Sequence, residues 1–372
     1  MDELFAEADL GNIRLNNRFI RSSTWEGMAG EDGRVTEGLI DLYKELVRGG
    51  VGLILTGHAY VSKRGQANAG QLGIYDDQLV LDLRKMIEAV HGEGGRIGVQ
   101  LAHAGSQRSF DSGLTPWAPS EVEERATGNI PRAMTVDDIE FVVKEFAEAA
   151  RRGVEAGFDA VEIHSAHGFL LAQFLSPYSN RRQDRYGGSI EKRSRIVFEV
   201  FDAVKRTVGR VVPVTIKINC ADFDQVGLSF EDSEWVCSNL VERGIDLIEL
   251  SGGVAAAQKL SPVRTGINNP EKEAYFRDLL EKMSPAVQSR TALVGGLRSL
   301  EVVKDIYLKG AARYFSFSRP LILEPGLINR WASGDTAPAR CISCNKCFQG
   351  ASEGRLRCLA SEKDFAKAER EG

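Results

Sequence analysis

The sequence predicts an α/β protein, a (β/α)8 TIM barrel with a short C-terminal cysteine-rich extension. Short apolar runs alternate with amphipathic stretches, and the runs are continuously apolar, as parallel strands buried on both faces are. Eight such runs separated by helical patterns fit a parallel sheet that closes on itself. At 372 residues and 43% hydrophobic, the chain can build one large core or two smaller ones. We expect the barrel to occupy residues 1–330 and the extension residues 331–372.

The segments between the predicted strands have helical periodicity. One helix begins at Thr135, which with Asp138 forms a capping-box-like start, and ends near Gly157. The stretch from His103 to Met134 lacks clear periodicity, so we expect it to be a long insertion over the barrel mouth. The eight predicted strands run from Arg18 to Ser22, Val51 to Thr56, Gly98 to Leu101, Ala160 to His164, Val214 to Asn219, Leu247 to Ser251, Ala292 to Val294 and Tyr314 to Phe317.

The composition argues against nucleic-acid and membrane partners. Its net charge is −5, and nothing in it argues for a nucleic-acid partner. The segment Met1 to Phe5 opens acidic and lacks the basic start and apolar run of a signal peptide, and no apolar stretch reaches membrane-spanning length. We therefore expect a cytoplasmic protein that acts on a small molecule and has no membrane partner. In that compartment, its six cysteines favour thiols or metal ligands over disulfides.

Polar residues and glycines follow the predicted strands, at the end where barrels of this kind carry their chemistry. Each is weak evidence alone, but together these amides, cations and glycines suit a planar anionic cofactor. The expected cofactor-binding positions are Ser22, Ser23, Thr24, Trp25, His58, Gln100, Lys217, Gly252, Gly253, Gly295, Gly296, Ser318 and Arg319.

Glycine pairs follow the sixth and seventh predicted strands, and an arginine follows the eighth. Gly252-Gly253 and Gly295-Gly296 would let backbone N–H groups approach an anion closely, and Arg319 would neutralise it. One such pair is more often only a turn. Two pairs and an arginine at successive strands favour a phosphate site.

Two histidines stand where the fourth predicted strand ends. A neutral imidazole donates a hydrogen bond without carrying charge, so His164 and His167 would together grip one carbonyl or phenolate oxygen. The simpler interpretation is a pair of histidines satisfied within a polar loop. We take His164 and His167 as the candidate catalytic residues.

A long polar loop rich in arginine, aspartate and glycine comes after the histidines. The run Phe174 to Ser189, followed by Glu191, Arg193 and Arg195, resembles the signature segment of the old yellow enzyme family of NADH:flavin oxidoreductases. The resemblance covers about residues 5 to 330. It implies an FMN-binding barrel that takes electrons from NADH or NADPH, and it hints weakly at a homo-oligomer.

The resemblance also implies roles for individual residues. Asn17 to Trp25 is similar to the first-strand motif whose end lines the flavin ring. Gln100 falls where the family places a glutamine on the flavin pyrimidine edge, and Lys217 where it has a cation near flavin N1 and O2. Such a cation would stabilise the negative charge of reduced flavin. A snorkelling lysine is the alternative, but Lys217 lies in the apolar stretch Thr215 to Ile218, where an unpaired charge is costly.

The reaction implied is that of an ene-reductase. Hydride would pass from reduced flavin to an α,β-unsaturated carbonyl compound, or to an enoyl or dienoyl thioester, held by His164 and His167. The sequence departs from the family at Phe169, where most ene-reductases carry the tyrosine that protonates the α-carbon. Another acid, solvent or a different reaction would then be needed. The candidate acids in nearby loops are Tyr60, Tyr178, Tyr186 and His58.

Four cysteines near the C-terminus have the spacing of metal ligands, because soft thiolates this close together suit metal chemistry. Their segment resembles the iron–sulfur segment of the 2,4-dienoyl-CoA reductase and trimethylamine dehydrogenase branch, which implies a [4Fe-4S] cluster and an electron-transfer partner protein. It departs from that branch because the second and third cysteines are one residue closer, and we expect no dinucleotide-binding module after Cys358. Zinc or an empty site are the alternatives. The four residues are Cys341, Cys344, Cys347 and Cys358.

Two other functions stay open at this point. One is an amine or ether demethylating dehydrogenase of the same fold. The other is an electron-transfer subunit of a larger complex, in which flavin and cluster relay electrons without an organic substrate of their own. Retention of both His164 and His167 argues against the second.

Overall fold

A computed structural model describes residues 3–110 and 113–371 of the protein. In these residues, eight parallel strands close into a barrel, which confirms the predicted fold class. Two short pairs of strands lie outside the barrel. The strands are β1 (Ala8–Leu10), β2 (Ile13–Leu15), β3 (Phe19–Arg21), β4 (Leu53–Tyr60), β5 (Ile97–Ala102), β6 (Trp117–Ala118), β7 (Arg132–Ala133), β8 (Ala160–Ser165), β9 (Val214–Asn219), β10 (Leu247–Ser251), β11 (Thr291–Leu293) and β12 (Tyr314–Phe317).

The barrel order is β10-β11-β12-β3-β4-β5-β8-β9, and helices connect most of the strands. The α-helices are α1 (Glu37–Arg48), α2 (Val80–Gly92), α3 (Val136–Ala156), α4 (Leu170–Leu175), α5 (Ile190–Arg193), α6 (Arg195–Val208), α7 (Phe230–Glu242), α8 (Arg277–Leu280), α9 (Pro285–Gln288), α10 (Leu300–Leu308), α11 (Arg319–Leu323), α12 (Leu327–Ala332), α13 (Cys347–Ser352) and α14 (Glu362–Glu371).

The predicted strand bounds agree with the structure at β9, β10 and β12. The largest difference is at β4, which spans Leu53–Tyr60 against a prediction of Val51 to Thr56. Its register with β5 shifts between Leu55 and His58, as a β-bulge produces. The bulge lets the strand continue through a glycine and a histidine that interrupt its apolar run.

Helix α3 follows the prediction closely. The Thr135 side chain accepts from the Asp138 backbone N–H, and the Asp138 carboxylate accepts from the Thr135 backbone N–H, which is a complete capping box. Gly157 ends the helix with a φ of 105°, a left-handed conformation that a residue without Cβ adopts freely. This helix leads the chain into β8, which carries the histidine pair.

Side chains alternate along the barrel strands, so that apolar residues pack outward against the helices and a polar layer lies inside. Gln100, Glu162, Lys217 and Glu249 are all buried, and each sits between apolar neighbours of its own strand. Charged residues are rarely buried without partners. The interior of the barrel therefore holds a built polar network.

The opposite end of the barrel is closed by the β1–β2 hairpin. Leu10 and Leu15 of the hairpin pack with Ile20, Leu247 and Tyr314 from the barrel strands. Leu247 and Tyr314 are the first residues of β10 and β12, so this cluster fills the end at which the strands begin. In the described residues, this packing closes the amino ends of the strands, so the open end of the barrel is the carboxyl one.

The segment after the barrel stays in contact with it. Trp331 is buried in α12, and its ring lies 6.0 Å from that of Phe19 and 5.7 Å from that of Phe317. The proposed boundary at residue 330 thus falls within α12, and it stays a prediction. Nowhere in the described residues is there a helix with the length and apolar character needed to cross a membrane.

Candidate active site

A cleft of about 1010 Å³ opens at the carboxyl ends of the barrel strands, counting the part that is open to solvent. This is the end of the barrel that carries ligand sites, and the volume suits a small molecule. The cleft gathers both candidate catalytic histidines and eleven of the thirteen expected cofactor positions. Those positions are Ser22, Ser23, Thr24, Trp25, His58, Gln100, Lys217, Gly295, Gly296, Ser318 and Arg319.

Gly252 and Gly253 do not line the cleft. A Cβ on Gly252 would lie 2.8 Å from the ring of Phe276 and 2.9 Å from the Cys220 sulfur, so this glycine is needed for packing. Gly253 turns the chain with a φ of 85°. The strand instead contributes Ser251 to the cleft.

The insertion expected over the mouth takes a different place. In its described part, no residue from His103 to Met134 lines the cleft. Its contact with the site is indirect, because Gln107 Nε2 donates to the backbone oxygen of His167 at 2.9 Å. The insertion therefore supports the histidine loop from behind.

The glycine pair after β11 and two arginines line one part of the cleft, an arrangement that suits an anion and is called the cradle below. Gly295 and Gly296 have φ values of 122° and 73°, and a Cβ on Gly296 would lie 2.7 Å from the ring of Tyr275. Arg319 donates to the Arg264 backbone oxygen at 2.8 Å and to Asn345 Oδ1 at 2.5 Å. Within the described ranges, no carboxylate pairs with it, so its charge is available to a ligand.

A second arginine at this cradle was missed by the sequence interpretation. Arg298 lines the cleft and donates to the backbone oxygens of Ile267 and Ala339. Its Nε is buried without a hydrogen-bond partner in the described part of the chain. A buried donor left unsatisfied is costly, which points to a missing acceptor. Its position two residues after the glycine pair was the available signal.

Lys217 lies at the centre of the polar layer. Its Nζ is 2.6 Å from Glu249 Oε1 and donates to Ser22 Oγ at 2.8 Å. Ser22 and Ser316 both donate to the Glu249 carboxylate, at 2.7 and 3.0 Å. This network fixes the cation in a buried place, and it excludes the snorkelling interpretation of Lys217. The sequence interpretation missed Glu249, although a carboxylate within an apolar strand was a signal.

Gln100 belongs to a second part of the same layer. Its amide donates to Glu162 Oε2 at 2.6 Å and accepts from Ser23 Oγ at 2.9 Å. Burial, together with the charge of Glu249, raises the pKa of Glu162 to about 8. Glu162 thus holds the Gln100 amide in one orientation, and Gln100 presents an ordered polar edge to the cleft.

The histidine pair lies across the cleft wall, with ring centroids 5.5 Å apart and planes nearly perpendicular. The backbone of His167 has a φ of 59°, and its N–H donates to Asn219 Oδ1 at 3.2 Å. The Nε2 of His167 is 2.6 Å from Ser251 Oγ, whereas Nδ1 of His164 is buried with no partner in the described residues. Burial, with smaller contributions from the neighbouring imidazoles and the Lys217 charge, holds the pKa of both rings well below its ordinary value, so both are neutral at pH 7.

Phe169 packs beside these imidazoles. Its ring centroid is 4.4 Å from that of His164 and 5.1 Å from that of His58. The tyrosines considered as acids are engaged elsewhere: Tyr178 donates to the Glu123 backbone oxygen and Tyr186 to Glu199, while Tyr60 stacks on Tyr75. None of these three lines the cleft in the described structure.

Two further expected positions complete the wall. Thr24 Oγ1 lies 2.7 Å from Ser318 Oγ, which ties the end of the first barrel strand to the end of the last. Trp25 lines the cleft, and its indole N–H is buried without a partner among the described residues. Tyr275 was not expected, but its ring forms the wall behind the glycine pair.

The four clustered cysteines line a separate small cavity of about 300 Å³. All are free thiols. As they stand, no group of three or more Cys, His, Asp or Glu side chains in the described ranges is arranged to hold a metal ion. Arg319 lines both this cavity and the main cleft, and Ser343 and Phe348 from the cysteine segment line the cleft as well. The two cavities are therefore neighbours with a shared wall.

The fold and site define a class: a barrel enzyme with a cleft for an anionic cofactor beside a neutral histidine pair. Residues 3–337 match the NADH:flavin oxidoreductase / NADH oxidase family. The chain belongs to this family, the old yellow enzymes, which implies FMN and NAD(P)H as cofactors.

Individual relatives agree with this assignment. The chain is 34% identical to a NADH oxidase of Thermoanaerobacter brockii over 96% of its own length and 56% of the relative. It is 34% identical to a NADPH dehydrogenase of Geobacillus sp. (strain WCH70), covering 87% of this chain and 91% of that one. A histamine dehydrogenase from Rhizobium sp. 4-9 superposes with a TM-score of 0.84 at 26% identity, covering 98% of this chain and 53% of that one. The chain thus spans about half the length of the NADH oxidase and of the histamine dehydrogenase.

Proposed function

We propose that the cleft binds FMN and that the protein is an NAD(P)H-dependent oxidoreductase of the ene-reductase type. Gly295, Gly296, Arg298 and Arg319 would hold the phosphate, since they combine a cradle without Cβ atoms, a free charge and an unsatisfied buried donor. The ring would be held by the polar layer. Ser22, Ser23, Thr24, Trp25, His58, Gln100, Lys217 and Ser318 are the proposed ring-side contacts.

Bound FMN would supply hydride transfer between the nicotinamide and the substrate. Lys217 would place a positive charge at the ring, and its position is fixed by Glu249, 2.6 Å away. Because the pair is buried, it needs no rearrangement when negative charge develops nearby. That preorganisation is what Lys217 contributes.

The substrate proposed is an α,β-unsaturated carbonyl compound, or an enoyl or dienoyl thioester. The observation that carries this proposal is the pair of neutral imidazoles in the cleft, His164 and His167. Two neutral donors polarise a carbonyl oxygen and stabilise the enolate that forms when hydride reaches the β-carbon. Positively charged imidazoles would instead bind any anion strongly, whether or not it reacts.

Solvent is the proposed source of the proton for the α-carbon. Phe169 has none to donate, and the described tyrosine that lines the cleft, Tyr275, donates its hydroxyl to the Pro262 backbone oxygen at 2.8 Å. The cleft opens to solvent, so water reaches the substrate side. Proton delivery is then the step that this chain assists least.

A [4Fe-4S] cluster is the proposed occupant of the cysteine cavity. Four free thiols around one cavity are the donor set of such a cluster. A single zinc ion would require the thiols to move into one coordination sphere, since no three of them are so arranged in the described residues. A cluster binds each thiolate through a different iron, so it suits thiols that stand further apart. Two other functions remain as second candidates. One is one-electron exchange with a partner protein, and the other is amine oxidation, as in the similar histamine dehydrogenase.

The test is an anaerobic one. The FMN of the purified protein is reduced stoichiometrically with NADPH or NADH, 2-cyclohexenone is added, and the visible spectrum is followed. We expect oxidised flavin to return, and to return more slowly with His164→Ala. Two results together would contradict ene reduction and favour amine oxidation. The reduced flavin would not be reoxidised by the enone or by an enoyl thioester, and an amine added to the oxidised protein would reduce the flavin.

A further inference from the structure

A third imidazole faces the substrate side of the cleft. His58 lies at the bulge of β4, lines the cleft and is only half-buried. Its ring is nearly parallel to that of His164, with an interplanar angle of 11° and a centroid distance of 6.3 Å. The ring of Phe169 touches the pair from one side. His58 therefore belongs geometrically to the histidine pair as much as to the cofactor positions.

The tautomer of His58 is fixed by Gln71. The backbone N–H groups of Ala67 and Asn68 donate to Gln71 Oε1 at 2.7 and 3.3 Å, so this end of the amide must be the oxygen. The other end, Nε2, then donates both to His58 Nδ1 at 2.8 Å and to the His58 backbone oxygen at 2.9 Å. Since an amide NH2 cannot accept, Nδ1 is the acceptor and carries no proton.

It follows that the proton of the neutral His58 ring is on Nε2. Burial, with the Lys217 charge as a smaller cause, lowers the pKa of His58 to about 4, so the ring is neutral at pH 7. In the described residues, Nε2 makes no hydrogen bond, and the side chain is open to the cleft. The buried Gln71 side chain thus fixes which nitrogen of the cleft-lining His58 ring carries the proton.

We propose that His58 Nε2–H is a third hydrogen-bond donor to the substrate, held in place by the positioning residue Gln71. The inference rests on the proposed function, in which His164 and His167 bind the reacting carbonyl oxygen. His58 then selects substrates that carry a second oxygen acceptor on the same face, such as an ester, ether or second carbonyl group. In this proposal His58 contributes a hydrogen bond and transfers no proton.

The first experiment reads the tautomer in the FMN-bound protein. Nitrogen-15 NMR shifts of the histidine rings, assigned with His58→Gln, distinguish Nε2–H from Nδ1–H. We expect a neutral Nε2–H ring in the wild type. In Gln71→Glu one carboxylate oxygen still accepts from the Ala67 and Asn68 N–H groups. The other oxygen replaces the amide NH2 and accepts from the ring, so we expect His58 to carry a proton on Nδ1 in this variant. A wild-type ring with its proton on Nδ1 overturns the proposal.

The second experiment measures selectivity with phenols, which mimic an enolate oxygen and give a charge-transfer band with bound flavin. Methoxyphenols and ethylphenols of the same ring pattern form matched pairs, since they differ by one oxygen acceptor. We expect the wild type to prefer one methoxy isomer by ~3 to 10-fold, the effect of one hydrogen bond. The readout is the ratio of methoxyphenol to ethylphenol affinity within each variant. His58→Leu should bring that ratio close to one, and His58→Gln, which keeps a donor, should recover part of the wild-type ratio.

The outcomes separate the two proposals. If no phenol binds to the wild type, the histidine pair does not hold an oxygen, and both proposals fail. If phenols bind and His164→Ala abolishes binding, but wild type and His58→Leu show the same methoxy preference, only the role of His58 is overturned. FMN content and the melting temperature of each variant report whether it has folded.

Discussion

The main cleft and the cysteine cavity share a wall but are built in different ways. Lys217, which lines the cleft, and its partner Glu249 come from regular barrel strands, are almost fully buried and are already paired. Cys341 and Cys344 lie on an irregular segment with positive φ at Ser343 and Asn345, and Cys347 begins the short helix α13. The four thiols have no metal-binding arrangement in the described residues. The comparison indicates that the cleft is preorganised by folding, whereas the cysteine cavity takes its final geometry from what it binds.

Lys217→Met should have the largest effect, because it leaves the Glu249 carboxylate buried without its cation. Breaking a buried ion pair on one side costs about 3–5 kcal/mol. We expect a loss of that order in the free energy of unfolding, measured by urea denaturation, together with weaker FMN binding. Lys217→Arg keeps the charge and is the matched control. An unchanged unfolding midpoint for Lys217→Met would show that the cleft is not preorganised by this pair.

Phe169→Tyr should speed substrate reduction if proton delivery limits it. The new hydroxyl would lie on the ring that packs 4.4 Å from His164, close to the proposed substrate oxygen. A positioned acid contributes about 10² or more to a rate. We expect faster turnover of 2-cyclohexenone and a smaller solvent isotope effect. If the rate stays the same and the isotope effect does not change, solvent access is not the limit.

Glu162→Gln should change how stability depends on pH. Burial raises the pKa of Glu162, so the folded protein keeps a proton that the unfolded chain loses. Stability of the wild type therefore falls as pH rises from the ordinary glutamate pKa towards the raised one, with a slope of at most about 1.4 kcal/mol per pH unit from this group. The variant should lack this decline, whereas Glu140→Gln, at an exposed position of α3, should retain it. Parallel curves for wild type and Glu162→Gln would contradict the interpretation.

Cys344→Ser should have the smallest effect on the barrel. We expect iron and acid-labile sulfide, measured after anaerobic reconstitution, to fall well below the wild-type content. FMN content should persist and the unfolding free energy should change by no more than about 0.5 kcal/mol. Cys237→Ala is the matched control, because this cysteine is buried away from the cavity. If Cys344→Ser retained as much iron as Cys237→Ala, the assignment of a cluster to this cavity would be contradicted.

Residues that act at strand ends were predictable, because a parallel barrel places all such ends on one face. Lys217 and the histidine pair were found this way. Pairings across the barrel could not be read from the sequence, so Glu249 was missed although it lies in a well-predicted strand. Gly252 was misjudged because a glycine that packs against an aromatic ring looks, in sequence, like one that approaches a phosphate. His58 was expected at the cleft, but the bulge that carries it there was not, because it depends on register, which local sequence does not set.

The central claim is that a preorganised cleft holds a flavin and a carbonyl oxygen gripped by two neutral histidines. The most direct test is the rate of flavin reoxidation by 2-cyclohexenone, compared under anaerobic conditions between wild type and the His164→Ala/His167→Ala double variant, both with full FMN content. We predict a rate at least ~10²-fold lower in the double variant, as for the loss of fixed donors to a developing oxyanion. Equal rates in the two proteins would contradict the account.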